Sequence, residues 1–202
     1  MSRLDVVVAV LAAGASRRLG RPKQLLRVAG EPQLRRQCRC ALDAAVGDVV
    51  VILGSNADQH RRVISDLPVD VCVNEEWTEG LAATLRRAIG AAQQRRAALL
   101  VLPCDQYRIV PEDLRALSER WRLVPAKACV SRAGCYAGPP AILPIEYHHD
   151  VLRLRGDVGA RSILFASERP PAELVNPRAA FDLDSPEDAT IAEAWNDGGH
   201  RE

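Results

Sequence analysis

Val6-Val7-Val8-Ala9-Val10-Leu11-Ala12-Ala13-Gly14-Ala15-Ser16-Arg17-Arg18-Leu19-Gly20-Arg21-Pro22-Lys23-Gln24-Leu25-Leu26 is the stretch from which the fold is read. Its apolar run is too short to cross a bilayer, which takes about 20 residues. It is continuous rather than alternating, as a strand covered on both faces requires. Small residues follow from Ala12 to Ser16, and then Arg17, Arg18, Arg21 and Lys23. A buried strand that ends in a small-residue turn and then presents cations is one way to hold a polyphosphate. The backbone comes close, its N–H groups donate, and fixed positive charge neutralises. The plainer alternative is a generic strand, a turn and a solvated basic face.

Two standard phosphate loops are excluded. Gly14 and Gly20 are too far apart for G-x-x-x-x-G-K-[ST], and Gln24 follows Lys23 where Ser or Thr is needed. No G-x-G-x-x-G is present in the stretch, so the usual dinucleotide fingerprint is not supported.

Outward from this stretch the chain alternates. Strands are expected at Asp5–Leu11, Asp48–Leu53, Val69–Val73 and Ala97–Leu102, and helices at Pro32–Ala45, Asp58–Leu67, Leu81–Gln94 and Pro111–Arg122. Strand–helix alternation implies right-handed crossovers and a mainly parallel sheet. The second half is less regular. Strands are expected near Ala126–Ser131, Pro140–Leu143, Glu173–Val175 and Ala180–Leu183, and helices over Pro144–Leu154, Val158–Ser167 and from Pro186 to about Asn196. The fold expected is α/β, a Rossmann-like three-layer sandwich with a mainly parallel mixed sheet, in one domain over residues 1–196. Residues 197–202 are expected to be a disordered tail.

Composition narrows the function. The 202 residues carry a net charge of +1, which makes no case for nucleic acid or an anionic membrane. The charge is uneven: residues 1–40 hold nine Lys or Arg against Asp5 and Glu31, and residues 168–202 hold nine acids against three Arg. That suits a local anion site. The six cysteines form no C-x-x-C and match no zinc spacing, and most of them read as small buried hydrophobes in a reduced, cytoplasmic setting. Asp5 before the apolar run, and the cations after it, argue against a signal peptide.

Ligands of open α/β sheets sit beyond the carboxyl ends of the strands. Asp105, just after the strand ending at Leu102, is therefore placed to lie beside the cationic loop and bind Mg2+ between phosphates. A turn or cap aspartate is the plain alternative. In Gly156-Asp157-Val158-Gly159-Ala160-Arg161, two glycines free the loop to bring Asp157 toward a metal. A helix starting near Val158 would offer N–H groups to an anion, and Arg161 would pair with a phosphate.

Leu11-Ala12-Ala13-Gly14-x-Ser16-x-Arg18-Leu19-Gly20-x-x-Lys23 resembles the signature L-A-A-G-x-S-x-R-M-G-x-x-K of the molybdopterin nucleotidyltransferases within the NTP transferase superfamily. The two alanines and Pro22-Lys23-Gln24-Leu25-Leu26 resemble the molybdenum cofactor cytidylyltransferase branch, whereas the guanylyltransferase branch usually reads L-A-G-G. Cys104-Asp105-Gln106 resembles the family's D-Q-P segment with Tyr107 for Pro. Asn74 to Thr84 resembles N-x-x-W-x-x-G-M-x-x-S, residues 156–161 resemble G-D-x-G-A-R, and Phe181 to Asp188 resembles D-I-D-T-P-E-D.

The resemblance implies a Mg2+-dependent enzyme that moves CMP from CTP to the terminal phosphate of molybdopterin cofactor and releases pyrophosphate, with a molybdoenzyme as recipient. Arg18, Lys23, Asp105 and Asp157 would be catalytic, the two aspartates as metal ligands. Leu11, Ala12, Ala13, Gly14, Gly80 and Thr84 would join Arg18 and Lys23 in holding the nucleotide, Ala12, Ala13 and Gly14 through backbone contacts, and the Ala13 methyl would favour a pyrimidine over a purine. The 182–184 block is expected mainly to start a helix, with an Asp182–Asp184 metal pair, as in glycosyltransferases, as the lesser reading. The alternatives are a related transferase using GTP or a sugar or polyol phosphate acceptor, and a non-catalytic molybdopterin carrier.

Overall fold

The computed structural model describes residues 5–166 and 170–195. The expected tail, and the end of the helix expected over Val158–Ser167, lie outside these residues. Seven strands form one mixed sheet: β1 (Val6–Ala12), β4 (Asp48–Leu53), β5 (Asp70–Val73), β6 (Ala98–Pro103), β7 (Cys129–Ala133), β8 (Tyr136–Leu143) and β9 (Ala172–Val175). Their order is β5-β4-β1-β6-β8-β7-β9. β5, β4, β1 and β6 are parallel, β8 runs antiparallel to both of its neighbours, and β7 and β9 are parallel again. Two-residue strands β2 (Arg27–Val28) and β3 (Glu31–Pro32) make a separate small ribbon.

The unbroken apolar runs are explained by helices on both faces. Val6, Val8, Val10 and Ala12 of β1 pack toward α1 (Gln33–Ala44) and α4 (Pro111–Arg122), while Val7 and Ala9 pack toward α3 (Leu81–Gln94) and α5 (His148–Leu152). The same division splits β4 and β6, since successive side chains leave a strand on opposite faces. α2 (Ala57–Arg62), α6 (Arg161–Ala166) and α7 (Pro186–Glu193) complete the helices. α7 opens with a reciprocal capping box in which Ser185 and Asp188 satisfy each other's backbone N–H groups.

Several expected elements differ: the helix expected over Asp58–Leu67 ends at Arg62, and that over Pro144–Leu154 is a 3₁₀ turn, Ile145–Tyr147, followed by α5. The strand expected at Ala180–Leu183 is instead the end of a 3₁₀ turn, Pro177–Ala180, followed by extended chain. Its Leu183 N–H goes to the Asp105 carbonyl rather than to a strand ladder. The helix expected from Val158 starts at Arg161. Residues 156–160 stay irregular, so the expected helix-terminus anion site at Val158 is not present.

Candidate active site

The carboxyl ends of β1 and β6 open into a cavity of about 720 Å3. The loop after β1 forms one wall and is closed by a residue that drew no functional reading from the sequence. Gln24, 1% exposed, donates from Nε2 to the carbonyls of Ala12 (3.1 Å) and Gly14 (2.8 Å). Ser16 takes a positive φ of 54°, accepts from Lys23 N at 3.1 Å and donates to Gln24 Oε1 at 3.3 Å. The third carbonyl of the turn, Ala13, accepts from Ser55 N at 3.0 Å.

The expected nucleotide residues therefore divide. Leu11, Ala13, Gly14, Arg18, Lys23, Gly80 and Thr84 line the cavity. Ala12 does not: it is 2% exposed in the core under α1. Ala13 is also nearly buried, and a Cβ on Gly54 would lie 2.8 Å from its methyl. That leaves the methyl little surface with which to crowd a base. The Thr84 hydroxyl is buried and accepts from Asn74 Nδ2 at 3.3 Å. Gly80 closes a loop: at φ +120° its Cα faces the chain so closely that a Cβ would stand 2.7 Å from the Gly156 carbonyl.

Charge gathers at the other end. Lys23 is ion-paired with Asp105, both about one-fifth exposed, and also lies 3.6 Å from Asp184. Arg18, largely exposed, reaches Asp184 at 2.9 Å. Burial alone would lower the Lys23 pKa, but Asp105, helped by Asp184, outweighs it and the net shift is upward. Asp182 completes the group. Burial first, and then the neighbouring Asp105 and Asp184, push its carboxyl up to about 7. Reading the 182–184 block mainly as a helix start missed this. The signal lay in two acids two residues apart in an extended chain, which the Leu183–Asp105 backbone bond pins beside Asp105.

Asp157 enters from a different wall. Its Oδ1 accepts from Leu81 N at 3.3 Å at the start of α3. That wall hangs on Glu79, which accepts from Gly156 N at 3.3 Å and pairs with Arg86 at 2.8 Å, and on Arg86, which donates to the Leu154 carbonyl. Arg161 also lines the cavity.

Among the described residues no three His, Cys, Asp or Glu side chains form a ready-made metal cage. Mg2+ seldom needs one, because it binds through one or two carboxylates plus substrate phosphates and water. An all-oxygen donor set, with Asp182 raised by burial first and then by Asp105 and Asp184, fits such an ion. No helix among the described residues is long and apolar enough to cross a membrane.

The chain is similar to known proteins in sequence and in fold. Residues 8–171 match the MobA-like NTP transferase domain, and the chain belongs to that family. A protein of Synechococcus elongatus named probable molybdenum cofactor guanylyltransferase is 32% identical over 131 residues, 64% of this chain and 66% of that protein. The chain thus matches just under two thirds of that relative's length. Nicotine blue oxidoreductase of Paenarthrobacter nicotinovorans is also 32% identical, over 46% of each chain. Among solved structures, Rv0371c of Mycobacterium tuberculosis H37Rv superposes with a TM-score of 0.82 at 28% identity, covering 95% of this chain and 98% of that one. The same protein has been solved in complex with manganese, with a TM-score of 0.77 at 26% identity and coverage of 94% and 99%.

Proposed function

We propose that this MobA-like NTP transferase acts as a single domain over residues 1–196 and transfers CMP from CTP to the terminal phosphate of a molybdopterin-type cofactor, releasing pyrophosphate. One observation carries the reading. A single cavity joins the cationic loop after β1 to three acids, Asp105, Asp182 and Asp184, next to the carboxyl ends of β1 and β6. An acceptor phosphate oxygen would attack the α-phosphorus of the nucleotide. The new P–O bond forms as the bond to the β-phosphate breaks, and the electron pair leaves with pyrophosphate. A phosphate monoester is mostly dianionic near neutral pH, its second pKa being about 6, so no general base is needed.

Catalysis then rests on alignment and charge neutralisation. In this reading Lys23 and Arg18 exchange their carboxylate partners for phosphate oxygens of the nucleotide. Asp105 and Asp157 would hold Mg2+, with Asp182 and Asp184 as the competing pair. When bound, the ion supplies positive charge shared between the transferring and leaving phosphates. Leu11, Gly14, Gly80 and Thr84 would border the base and ribose.

GTP is the second reading, favoured by the name of the Synechococcus relative and by the near-burial of the Ala13 methyl. The Ala12-Ala13 pair and Pro22-Lys23-Gln24-Leu25-Leu26 favour CTP. The test is pyrophosphate release from CTP and from GTP with molybdopterin cofactor and Mg2+. Release from CTP alone supports cytidylyl transfer, and release from GTP alone replaces it with guanylyl transfer. Nucleotide binding without release with either would favour a molybdopterin carrier.

A further inference from the structure

Helix α1 carries a polar stripe on a buried face. Gln33, Arg36, Gln37 and Cys40 recur at i, i+3, i+4 and i+7, and all four are buried. Each aims a donor at the segment that bears Asp105. Gln33 Nε2 donates to the Cys104 carbonyl at 2.8 Å. Gln37 Nε2 donates to the Pro103 carbonyl at 3.1 Å and lies 3.5 Å from that of Gln106. Arg36 donates to the Tyr107 carbonyl, and Cys40 Sγ lies 3.6 Å from that of Ile109. The Asp105 carbonyl takes Leu183 N. Pro103 ends β6, and residues 104–109 belong to no helix or strand, so past Pro103 no strand ladder satisfies the carbonyls of this segment; that of Gln106 also takes Ile109 N.

We propose that Gln33 and Gln37 are positioning residues for Asp105. They fix the backbone on both sides of it and so set where its carboxylate meets Lys23 and the metal-bound phosphates. The proposal rests on the nucleotidyl-transfer reading of the cavity.

The amide oxygens separate positioning from plain stabilisation. Gln33 Oε1 and Gln37 Oε1 are both buried without a hydrogen-bond partner. Turning either amide over would aim an oxygen at a carbonyl oxygen, so the orientation is set by the acceptors. A buried unpaired acceptor costs about as much as the donor bond returns. Met fills a similar volume with no strongly polar atom to leave unpaired. What the two glutamines provide beyond a packed Met is the location of the carbonyls they hold.

The experiment compares wild type, Gln33→Met/Gln37→Met, Gln37→Met alone, and Leu34→Ala as a packing control on the same helix. Two quantities are read: amide hydrogen exchange at Cys104 and Ile109 without nucleotide, and the factor by which Mg2+ tightens CTP or GTP. The double variant is expected to keep its Tm within a few degrees, exchange those amides faster, and lose about tenfold of the Mg2+ factor. Its affinity without metal should change by less than about threefold, because that affinity comes from the loop after β1. Leu34→Ala should lower Tm while keeping the Mg2+ factor. Should the double variant fail to fold, Gln37→Met carries the same expectations at smaller size.

Unchanged exchange at residues 104 and 109 overturns the inference whatever nucleotide binds, as does faster exchange with an intact Mg2+ factor. A wild type that binds neither nucleotide overturns the reading of the cavity instead, and the exchange arm still decides whether the glutamines hold the loop.

Discussion

Two walls of the cavity were equally prominent as sequence motifs and are built very differently. The Lys23–Asp105 wall stands on the central strands β1 and β6 and is backed by α1. It is tied internally by Gln24, Ser16, Gln33 and Gln37, all but Ser16 essentially buried. The Gly156–Arg161 wall stands on no strand. It is held by Glu79, Arg86 and the start of α3, through hydrogen bonds largely at the surface. Exposed ion pairs and bonds of this kind contribute little each. The difference teaches that a motif's clarity in sequence does not report how firmly its residues are placed. The first wall is over-determined and suited to aligning phosphates. The second is held by fewer buried polar ties.

The largest expected effect lies in the first wall. Lys23→Ala should lower the rate of pyrophosphate release about 10²–10³-fold, the range for losing one preorganised electrostatic partner. Because an ion pair is broken, Asp105 is left uncompensated. A Lys23→Ala/Asp105→Asn double variant should therefore recover stability, seen as a higher Tm, without recovering activity.

Next comes the joint between the walls. Gly80→Ala must place a Cβ 2.7 Å from the Gly156 carbonyl at φ +120°. It should cost about 1–3 kcal/mol, or roughly 2–4 °C in Tm for each kcal/mol. Proteolysis or hydrogen exchange should show the loosening at 154–161 and not at 13–24.

A sharper comparison sets Asp157→Asn against Asp182→Asn. As a cap on Leu81 N, Asp157 contributes about 1 kcal/mol or less to stability. If Asp157 shares Mg2+ with Asp105, its variant should lose at least about tenfold in Mg2+-dependent nucleotide affinity while the Asp182 variant loses less. The reverse order would move the ion to the Asp105–Asp182–Asp184 group.

The smallest effect is a response to pH in the scaffold. His60 and His148 are buried, and burial lowers the pKa of each, opposed at His148 by the Leu143 backbone and Glu146. The unfolded chain, with histidine near pH 6.5, then takes up a proton more readily than the folded one. This contribution to stability should be fully present above that pH and decline as pH falls below it. Asp182, pushed up to about 7, gains stability over the same range and works against the histidines, so their contribution is read as a difference: the change in Tm from pH 7 to pH 5 should be less favourable for wild type than for His148→Gln. His148 belongs to α5, just before the 154–161 segment, so exchange in that segment should rise first.

Much of this was legible from residues alone. Continuous apolar runs at 6–11, 48–53 and 97–102 became β1, β4 and β6, because burial on both faces is a local property that composition records. α3 and α4 occupy the ranges their apolar spacing and Pro111 required. The region from 126 to 183 was harder to read. β7 and β8 are joined around Gly134, β8 carries Gly138, Pro139 and Pro140, and the β-like run at 180–183 finds no strand beside it. Ala12 was assigned to the nucleotide through its backbone; alternation on β1 turns its side chain into the core, and its carbonyl accepts from Gln24. Gln33, Gln37 and Gln24 escaped notice because a glutamine's role depends on which carbonyl it meets. For the two in α1 that partner lies about 70 residues away. Asp182 gains its meaning only from Asp105, brought beside it by the fold.

The measurement that bears most directly on the central claim is calorimetric titration of CTP and GTP, with and without Mg2+, into wild type and Asp105→Asn. The account expects one nucleotide to bind, Mg2+ to tighten it, and the variant to lose the Mg2+ effect while keeping the metal-free affinity supplied by Lys23 and Arg18. Nucleotide binding whose Mg2+ dependence survives in Asp105→Asn, or no binding of either nucleotide at millimolar concentration, would contradict it.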